Sequence, residues 1–553
     1  MLFNSPEFII FCVVVYGLYW CLPFRLQNYM LLSASYIFYG WWDVRFLFLV
    51  ALSTTVDFWI GLMIERGRLA RRELLGPALF LLASAILFLG INSGAPLFHP
   101  GDGTNSFTGL LRTSMILWSS AGVVLFLALL VFLFSILDRA QEETRRFFSL
   151  MISLTTQLGL LGVFKYFNFF ASSLADALNS IGLESNPLHL DIVLPVGVSF
   201  YTFQSLSYTI DTYRRQLKPT THFFDFALFV AYFPQLQAGP IERARHLLPQ
   251  LSSARKFNID NVSRGLYLIA AGFFKKVAIA DGVSPIVDQI FGSTGRITWI
   301  DVLVGTTLFA VQIYCDFSGY TDIARGISKL FGINLIVNFN LPYFSTNPQE
   351  FWHRWHISLS TWLRDYVYIP LGGSRGNLAF VCRNLMITMV LGGLWHGAAW
   401  NFVLWGLYQG GALCAYRIWN ERKFQKPSIG TRLNERKSTG PLVPMLSRAA
   451  ILAAILYGWL LFRSHSLEQI ESFTSLLISD FGDLDYGGNI PRFSALVGIP
   501  VLAAMEIGHY LTEDPCFYRR LPVPIQGFLI ALLIAITIMG MSNEPAQFIY
   551  FQF

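Results

Sequence analysis

EFWHRWHISLSTWLRDYVYIPLGG, Glu350 to Gly373, sets His353 and His356 beside Arg354, Arg364 and Asp365 in a chain that otherwise reads as membrane. The residues just before it, Asn347-Pro348-Gln349-Glu350, resemble a helix start. Asn takes the N-cap, Pro the first helical position and Glu the third, from which its side chain can return to the cap amide. The spacing predicts a helix from Pro348 to about Tyr366. Trp352, Trp355, Leu359, Trp362 and Tyr366 fall at three- and four-residue steps as an aromatic stripe, and His353, His356, Ser360 and Arg364 form a second stripe. Pro370 and Gly372-Gly373 end the segment. Such a helix is amphipathic rather than spanning: it lies at the bilayer surface or plugs into a bundle, its tryptophans at headgroup depth. An interfacial anchor with snorkelling charges and a catalytic helix both fit this segment taken alone.

The rest of the chain decides the fold class. With 553 residues, 54% hydrophobic, 13% charged, a mean hydropathy of +0.50, 50 Phe and 14 Trp, it is too apolar for a soluble domain. A spanning helix needs about 20 mostly apolar residues. Candidates lie near 7–22, 28–41, 44–64, 76–91, 115–137, 147–170, 192–210, 223–238, 264–281, 300–331, 379–395, 397–416, 447–462, 494–511 and 525–541. Several are short or broken by Gly and Pro, so some are expected to be re-entrant or tilted. The expectation is an all-α polytopic bundle. The opening MLFNSPEFIIFCVVVYGLYWCLPF lacks a basic leader and a small-residue cleavage site and reads as a retained first span.

Charge orients the chain loop by loop. ERGRLARRE (Glu65 to Glu73), DTYRRQLK (Asp211 to Lys218) and the long connection Arg417 to Arg448 are basic and expected in the cytoplasm. Ser464 to Pro491 carries Glu468, Glu471, Asp480, Asp483 and Asp485 without Lys or Arg, and Asn92 to Gly109 has no basic residue; both are expected outside, as are both termini. The domain reading is a catalytic membrane core over 1–416, a cytoplasmic basic loop over 417–448 and C-terminal spans over 449–553. With no independent soluble domain, action on a large external molecule requires a partner or direct entry into a membrane cavity. Cys12, Cys21, Cys315, Cys382, Cys414 and Cys516 are scattered without CxxC spacing, so disulfides and cysteine metal sites are not expected. No nucleic-acid partner is expected.

LGGLWHGAAWNFVLWGLYQGG (Leu391 to Gly411) carries His396 in a run without Lys, Arg, Asp or Glu from Asn384 to Tyr416. An ionisable residue there is a functional hypothesis. Gly392, Gly393, Gly397, Ala398 and Ala399 allow either close helix packing or a narrow channel to the imidazole. Desolvation disfavours imidazolium, so His396 is expected to be neutral and able to act as a general base on a hydroxyl attacking an acyl carbonyl. His356 or Arg354 could then polarise the carbonyl or steady the oxyanion. His353, His356, Glu350 and His396 match no familiar zinc spacing, and no metal is expected. Asp322 and Arg325 are expected to pair. Asp316 has no evident local partner and is a weaker site candidate. Phe233 to Leu251 puts Glu242, Arg243 and Arg245 in a loop that reads as cytoplasmic.

Together these elements are recognisable. EFWHRWHISLSTWLRDYVYIPLGG followed by GGLWHGAAWNFVLWG resembles the membrane-bound O-acyltransferase family. LPVGVSFYTFQSLSYTIDTYRR (Leu194 to Arg215), FPQLQAGPIERARHLLPQL (Phe233 to Leu251) and the terminal FIYFQF (Phe548 to Phe553) are similar to its alginate O-acetyltransferase branch. The resemblance implies a helical bundle around a central funnel, embedded in membrane lipid in a bacterial inner membrane. It matches His396 to the family's catalytic histidine and His356 to the second histidine of the RWHIS element. Arg354, Trp355, Trp395, Asn401 and Asp316 are the candidate substrate contacts. It also implies acetyl transfer without a bound cofactor, from a cytoplasmic acetyl-CoA or acyl-carrier thioester, through periplasmic partner proteins to an exported polysaccharide. His353 stands where relatives commonly carry Arg or another polar residue and receives no catalytic role. D-alanyl transfer to a cell-wall polymer and polymer or acyl-carrier transport are the alternatives.

Overall fold

The computed structural model describes residues 1, 3–90, 113–190, 192–293, 295–424, 442–479, 481–482, 485–542 and 548–549. The stretch 92–109 expected outside, much of the basic connection at 425–441, Asp480, Asp483 and residues 550–553 of FIYFQF lie outside them. Among the described residues all regular structure is helical. Nine described helices are long and apolar enough to cross a membrane.

The chain packs as two compact units, one of residues 1–263 with 327–335, the other of 264–326 with 336–553. The first is built from α1 (Pro6–Cys21), α2 (Phe24–Gly40), α3 (Phe46–Arg66), α4 (Arg71–Ser84), α5 (Thr113–Asp138), α6 (Glu142–Leu161), α7 (Phe167–Ser180), α8 (Val198–Tyr213), α9 (Phe223–Ala231), α10 (Phe233–Leu236) and α11 (Ala244–Leu251). The helix α3 is apolar on all sides and buried along most of its length, as a helix without a polar face must be. Its Asp57 carboxylate is satisfied by Ser153 Oγ and Gln157 Nε2, each donating at 2.7 Å. The predicted span at 223–238 is instead the short pair α9 and α10. Tyr232 leaves helical geometry and Pro234 opens the second helix, so neither piece can cross.

In the second unit the chain runs through α12 (Ile259–Phe273), α13 (Asp281–Phe291), α14 (Trp299–Leu330), α15 (Pro348–Arg354), α16 (Ile357–Leu363), α17 (Leu378–His396), α18 (Trp400–Phe424), α19 (Leu442–Arg463), α20 (Leu467–Ser479), α21 (Phe493–Thr512) and α22 (Val523–Gly540). The ends of α12 and α14 fall outside this unit. The packing does not divide at 417–448: α18 and α19, on either side of that stretch, belong to one unit, and Tyr408 Oη donates to Ala454 O at 2.9 Å. The helices α12 and α14 cross on glycines. A Cβ on Gly272 would stand 2.6 Å from Gly319 O, and one on Gly326 would stand 2.6 Å from Gly265 O. Small residues permit this approach where the solvent is lipid and apolar surface drives no association.

Gly272→Ala is therefore expected to destabilise the protein by about 1 to 3 kcal/mol. Gly527→Ala in α22, where nothing lies within 4 Å of the new methyl group, is expected to be neutral. Thermal unfolding in detergent compares the two. A second expectation concerns α11, where His246 Nδ1 lies 2.8 Å from Glu242 Oε2 and that hydrogen bond raises the imidazole pKa, with burial opposing it. A pKa raised on folding stabilises fully below about pH 6.5 and ceases to do so as pH rises through the folded value. The stability difference between wild type and His246→Asn is thus expected to shrink with rising pH, measured by the same assay across the pH range.

Candidate active site

The helix predicted from Pro348 to Tyr366 begins as expected: Asn347 Oδ1 accepts from Glu350 N at 2.8 Å. Glu350 Oε2 returns one residue further back than the cap, accepting from Thr346 N at 2.9 Å and Thr346 Oγ1 at 2.7 Å. The helix then breaks. Trp355 is extended, and His356 sits in the left-handed region at φ +41° before α16 begins, followed by a π-helical turn over Arg364–Tyr368. The partner that breaks it is the extended segment around Asn338. Ile357 N donates to Asn338 O and Asn340 N donates to Arg354 O, both at 2.9 Å. A left-handed non-glycine residue costs about 1 to 3 kcal/mol and persists only where its surroundings over-determine it. The break also dissolves the second predicted stripe: His353 is exposed, while His356 is fully buried.

Asn338 determines which nitrogen of His356 carries the proton. Its Oδ1 receives Ser358 N at 3.1 Å, Ser358 Oγ at 2.9 Å and His356 Nδ1 at 3.2 Å. A backbone N–H can only donate, so the amide oxygen, not the NH2, faces this cluster. His356 Nδ1 must then donate, because Ser358 Oγ lies 3.4 Å from it and closer to the amide oxygen. The lone pair is left on Nε2, which is buried and meets no hydrogen-bond partner among the described residues.

His396 is the last residue of α17. Its ring is bounded edge to face by Trp395 at 5.1 Å, Trp405 at 5.1 Å and Phe462 at 5.2 Å between centroids. Trp395 also contacts the His356 ring at 5.8 Å, so one indole touches both imidazoles. The glycines of GGLWHG serve close packing: a Cβ on Gly393 would stand 2.2 Å from Phe402 O, and one on Gly397 would stand 2.1 Å from the Phe402 ring.

The other candidates have different surroundings. Asn401 Nδ2 donates to Ser464 O at 2.9 Å and Phe462 O at 3.3 Å, tying α18 to the end of α19 and holding Phe462 against His396. Trp355, 1% exposed, stacks on Phe351 and packs on Trp459. Arg354 pairs with Glu350 at 3.0 Å and donates to Asn340 O. Asp316 is an ion-pair partner of Lys276, which also pairs with Asp281, both at 2.8 Å. The second oxygen of Asp316 accepts from Ile549 N at 2.7 Å. Both Asp316 oxygens thus hold protein. The structure brings His356, Trp395 and His396 together, and engages Arg354 and Asp316 in scaffold contacts. Sequence reasoning missed Asn338 and Phe462, which carry no local signal in IVNFNLP or LLFRS. It missed Lys276 as well, although a lysine within an apolar run was visible.

Three cavities in this unit are lined by described residues near the site or beside it. One of 400 Å³ has apolar walls, Leu363, Val381 and Met389 among them, together with Trp352, Arg364 and Arg417. Another of 540 Å³ is lined by Ala398, Ala399, Asn401 and Phe402 with Asp288, Arg463 and His465. There Arg463 pairs with Asp288 at 2.8 Å, and burial together with that guanidinium holds the His465 imidazole below its ordinary pKa. The third, of 910 Å³, holds the Lys275–Asp322–Arg325 cluster, in which Arg325 pairs with Asp322 as the three-residue spacing predicts. Neither imidazole lines these cavities. Trp352 lines the first cavity and packs on Trp405, which meets the His396 ring, and Phe402 lines the second. Among the described residues no three of His, Cys, Asp and Glu gather as metal ligands.

Residues 145–433, which contain both imidazoles, match the family model of the membrane-bound O-acyltransferases. The chain belongs to the membrane-bound O-acyltransferase family. It is 36% identical to the probable alginate O-acetylase of Azotobacter vinelandii and 33% identical to that of Pseudomonas aeruginosa, covering the whole of both chains in each case. It is also 39% identical over 303 residues to the peptidoglycan O-acetyltransferase of Helicobacter pylori, covering 50% of this chain and 56% of that one. As a member of the membrane-bound O-acyltransferases it is a multi-pass membrane enzyme that takes an acyl group from a donor. Asn338→Ala would release the tautomer of His356 and is expected to lower acyl transfer by about 10²-fold while the protein still accumulates in the membrane. Turnover per mole of purified protein checks this.

Proposed function

We propose that this protein moves an acetyl group from a cytoplasmic thioester to a hydroxyl acceptor, serving O-acetylation of an exported, alginate-like polysaccharide, with His356 as the proton acceptor. One observation carries the reading: a buried imidazole whose Nδ1 is committed to Asn338 and whose Nε2 lone pair is unmatched. Sequence reasoning gives the base to His396. The Asn338 contact reverses that preference, because a His356 protonated on Nδ1 has no Nε2–H with which to polarise a carbonyl. His396, across Trp395, is left to hold the acyl carbonyl and its developing oxyanion.

The reaction balances without another reactant. As the acceptor oxygen forms its bond to the acyl carbon, its proton passes to His356 Nε2. Collapse of the tetrahedral intermediate breaks the C–S bond, and the imidazolium returns the proton to the departing thiolate. Thioester and alcohol become ester and thiol. Basic-loop orientation puts Arg364 and Arg417 on the cytoplasmic side. Their cavity, with cationic and apolar walls, suits the phosphates and thiol arm of acetyl-CoA, the donor in this reading. The 540 Å³ cavity then faces outward, too small for a polymer in bulk, so a partner protein in the periplasm of an inner-membrane system relays the acetyl group. The named activities of the Azotobacter, Pseudomonas and Helicobacter relatives support acetyl as the group and a polysaccharide as its destination.

Purified protein with acetyl-labelled acetyl-CoA tests the reading. Wild type is expected to release thiol as label passes to an added alginate oligosaccharide hydroxyl or, with water as the acceptor oxygen, to free acetate. His356→Ala and His396→Ala are each expected to lower the rate by at least about 10²-fold with normal membrane accumulation. Full turnover by His356→Ala would refute its role as base.

A further inference from the structure

The hairpin of α17 and α18 brings together two thiols that sequence spacing hides. Cys382 and Cys414 are 32 residues apart, yet Cys414 Sγ donates to Cys382 O at 3.4 Å, and the two side chains lie within hydrogen-bonding reach of each other. The register of the antiparallel pair explains the meeting. A Cβ on Gly406 would stand 2.8 Å from Val390 Cα, and one on Gly410 would stand 3.2 Å from Met386 Cα. One further turn along each helix sets Cys382 opposite Cys414. Both are free thiols, Cys382 partly exposed and Cys414 9% exposed. They also flank the wall of the 400 Å³ cavity. Cys382 follows Val381 and Cys414 follows Leu413, both lining residues, and Arg417 and both thiols act electrostatically on the hydroxyl of Tyr368, another lining residue.

We infer that Cys382 and Cys414 form a redox-responsive modification site, a dithiol that a peroxide converts to a disulfide and that slows acyl transfer in its oxidised state. The effect on transfer rests on the reading that gives this cavity to the thioester. Basic-loop orientation puts this end of the hairpin at the cytoplasm, where thiols are kept reduced, so the bond forms only while peroxide is present and is lost again afterwards. Cys382, the more exposed thiol, attacks first: its sulfur takes one hydroxyl of the peroxide to become a sulfenic acid, and the other oxygen leaves as water. The Cys414 sulfur then displaces that hydroxyl and forms the S–S bond, and the Cys414 proton departs with the hydroxyl as a second water. Two thiols and one peroxide become one disulfide and two waters. The bond ties α17 to α18 beside Val381 and Leu413, so the cavity wall there no longer yields to an entering thioester.

The purified full-length protein in lipid nanodiscs is treated with hydrogen peroxide, freed of it, and either digested for mass spectrometry or given acetyl-labelled acetyl-CoA. Expected are Cys382 and Cys414 peptides joined with the loss of two hydrogens, and a loss of most acetyl-CoA turnover that a phosphine reductant restores. Cys382→Ala and Cys414→Ala are each expected to keep the untreated turnover and to resist peroxide, and either carries the test should the other fail to accumulate. Cys21→Ser, at an exposed thiol in the first unit, should leave the inhibition as it is in wild type. Inhibition that persists in the alanine variants, absence of the joined peptides, or joined peptides with full turnover overturns the inference and leaves the proposed function standing. A wild type that leaves acetyl-CoA intact refutes the proposed function, and the joined peptides, read without turnover, still decide whether the thiols pair.

Discussion

The site depends on what one amide oxygen receives. Asn338 Oδ1 takes Ser358 N–H, Ser358 Oγ–H and His356 Nδ1–H, while the backbone of the same residue takes Ile357 N–H. These bonds stop one helix, start the next and hold His356 in a left-handed conformation that an isolated chain would avoid. They also choose the tautomer. Without them Pro348 to Tyr366 would continue as the amphipathic helix its pattern describes, and the imidazole would turn with the wrong stripe.

The membrane sharpens this logic, because charge and neutrality have different uses in a low-dielectric interior. Lys276 is matched by Asp281 and Asp316, and Lys275 and Arg325 are matched by Asp322. Removing one partner from such a buried cluster strands the others, so these groups act as scaffold. The imidazoles of His356 and His396 meet aromatic rings, Phe317 and Trp395 for the first and Trp395, Trp405 and Phe462 for the second. With its Nδ1 donating to Asn338, a neutral His356 ring keeps a lone pair on Nε2. Charge in this unit therefore builds, and in the proposed reaction the uncharged heterocycles carry the proton.

Much of this was legible in the sequence, and the rest was hidden for physical reasons. Apolar run length finds α3, α14, α17 and α19 because a bilayer imposes its thickness on every span. The Asn347 cap and the Asp322–Arg325 pair are local and follow from spacing. The break at His356 is not local, since it needs a partner 18 residues earlier in an extended stretch with no motif. The partners of Asp316 and Asn401 are hidden for the same reason: Lys276 and Ile549 for one, and Phe462 and Ser464 for the other, come from distant parts of the chain. Spacing finds what a residue does to its own helix and misses what another helix does to it.

The account turns on the proton at His356, which histidine 15N solid-state NMR of the protein in bilayers reads directly, with His356→Gln identifying the signal. The account predicts a neutral ring with protonated Nδ1 and bare Nε2, unchanged across about pH 5 to 8. A proton on Nε2, or titration of the ring near its ordinary pKa, would contradict it.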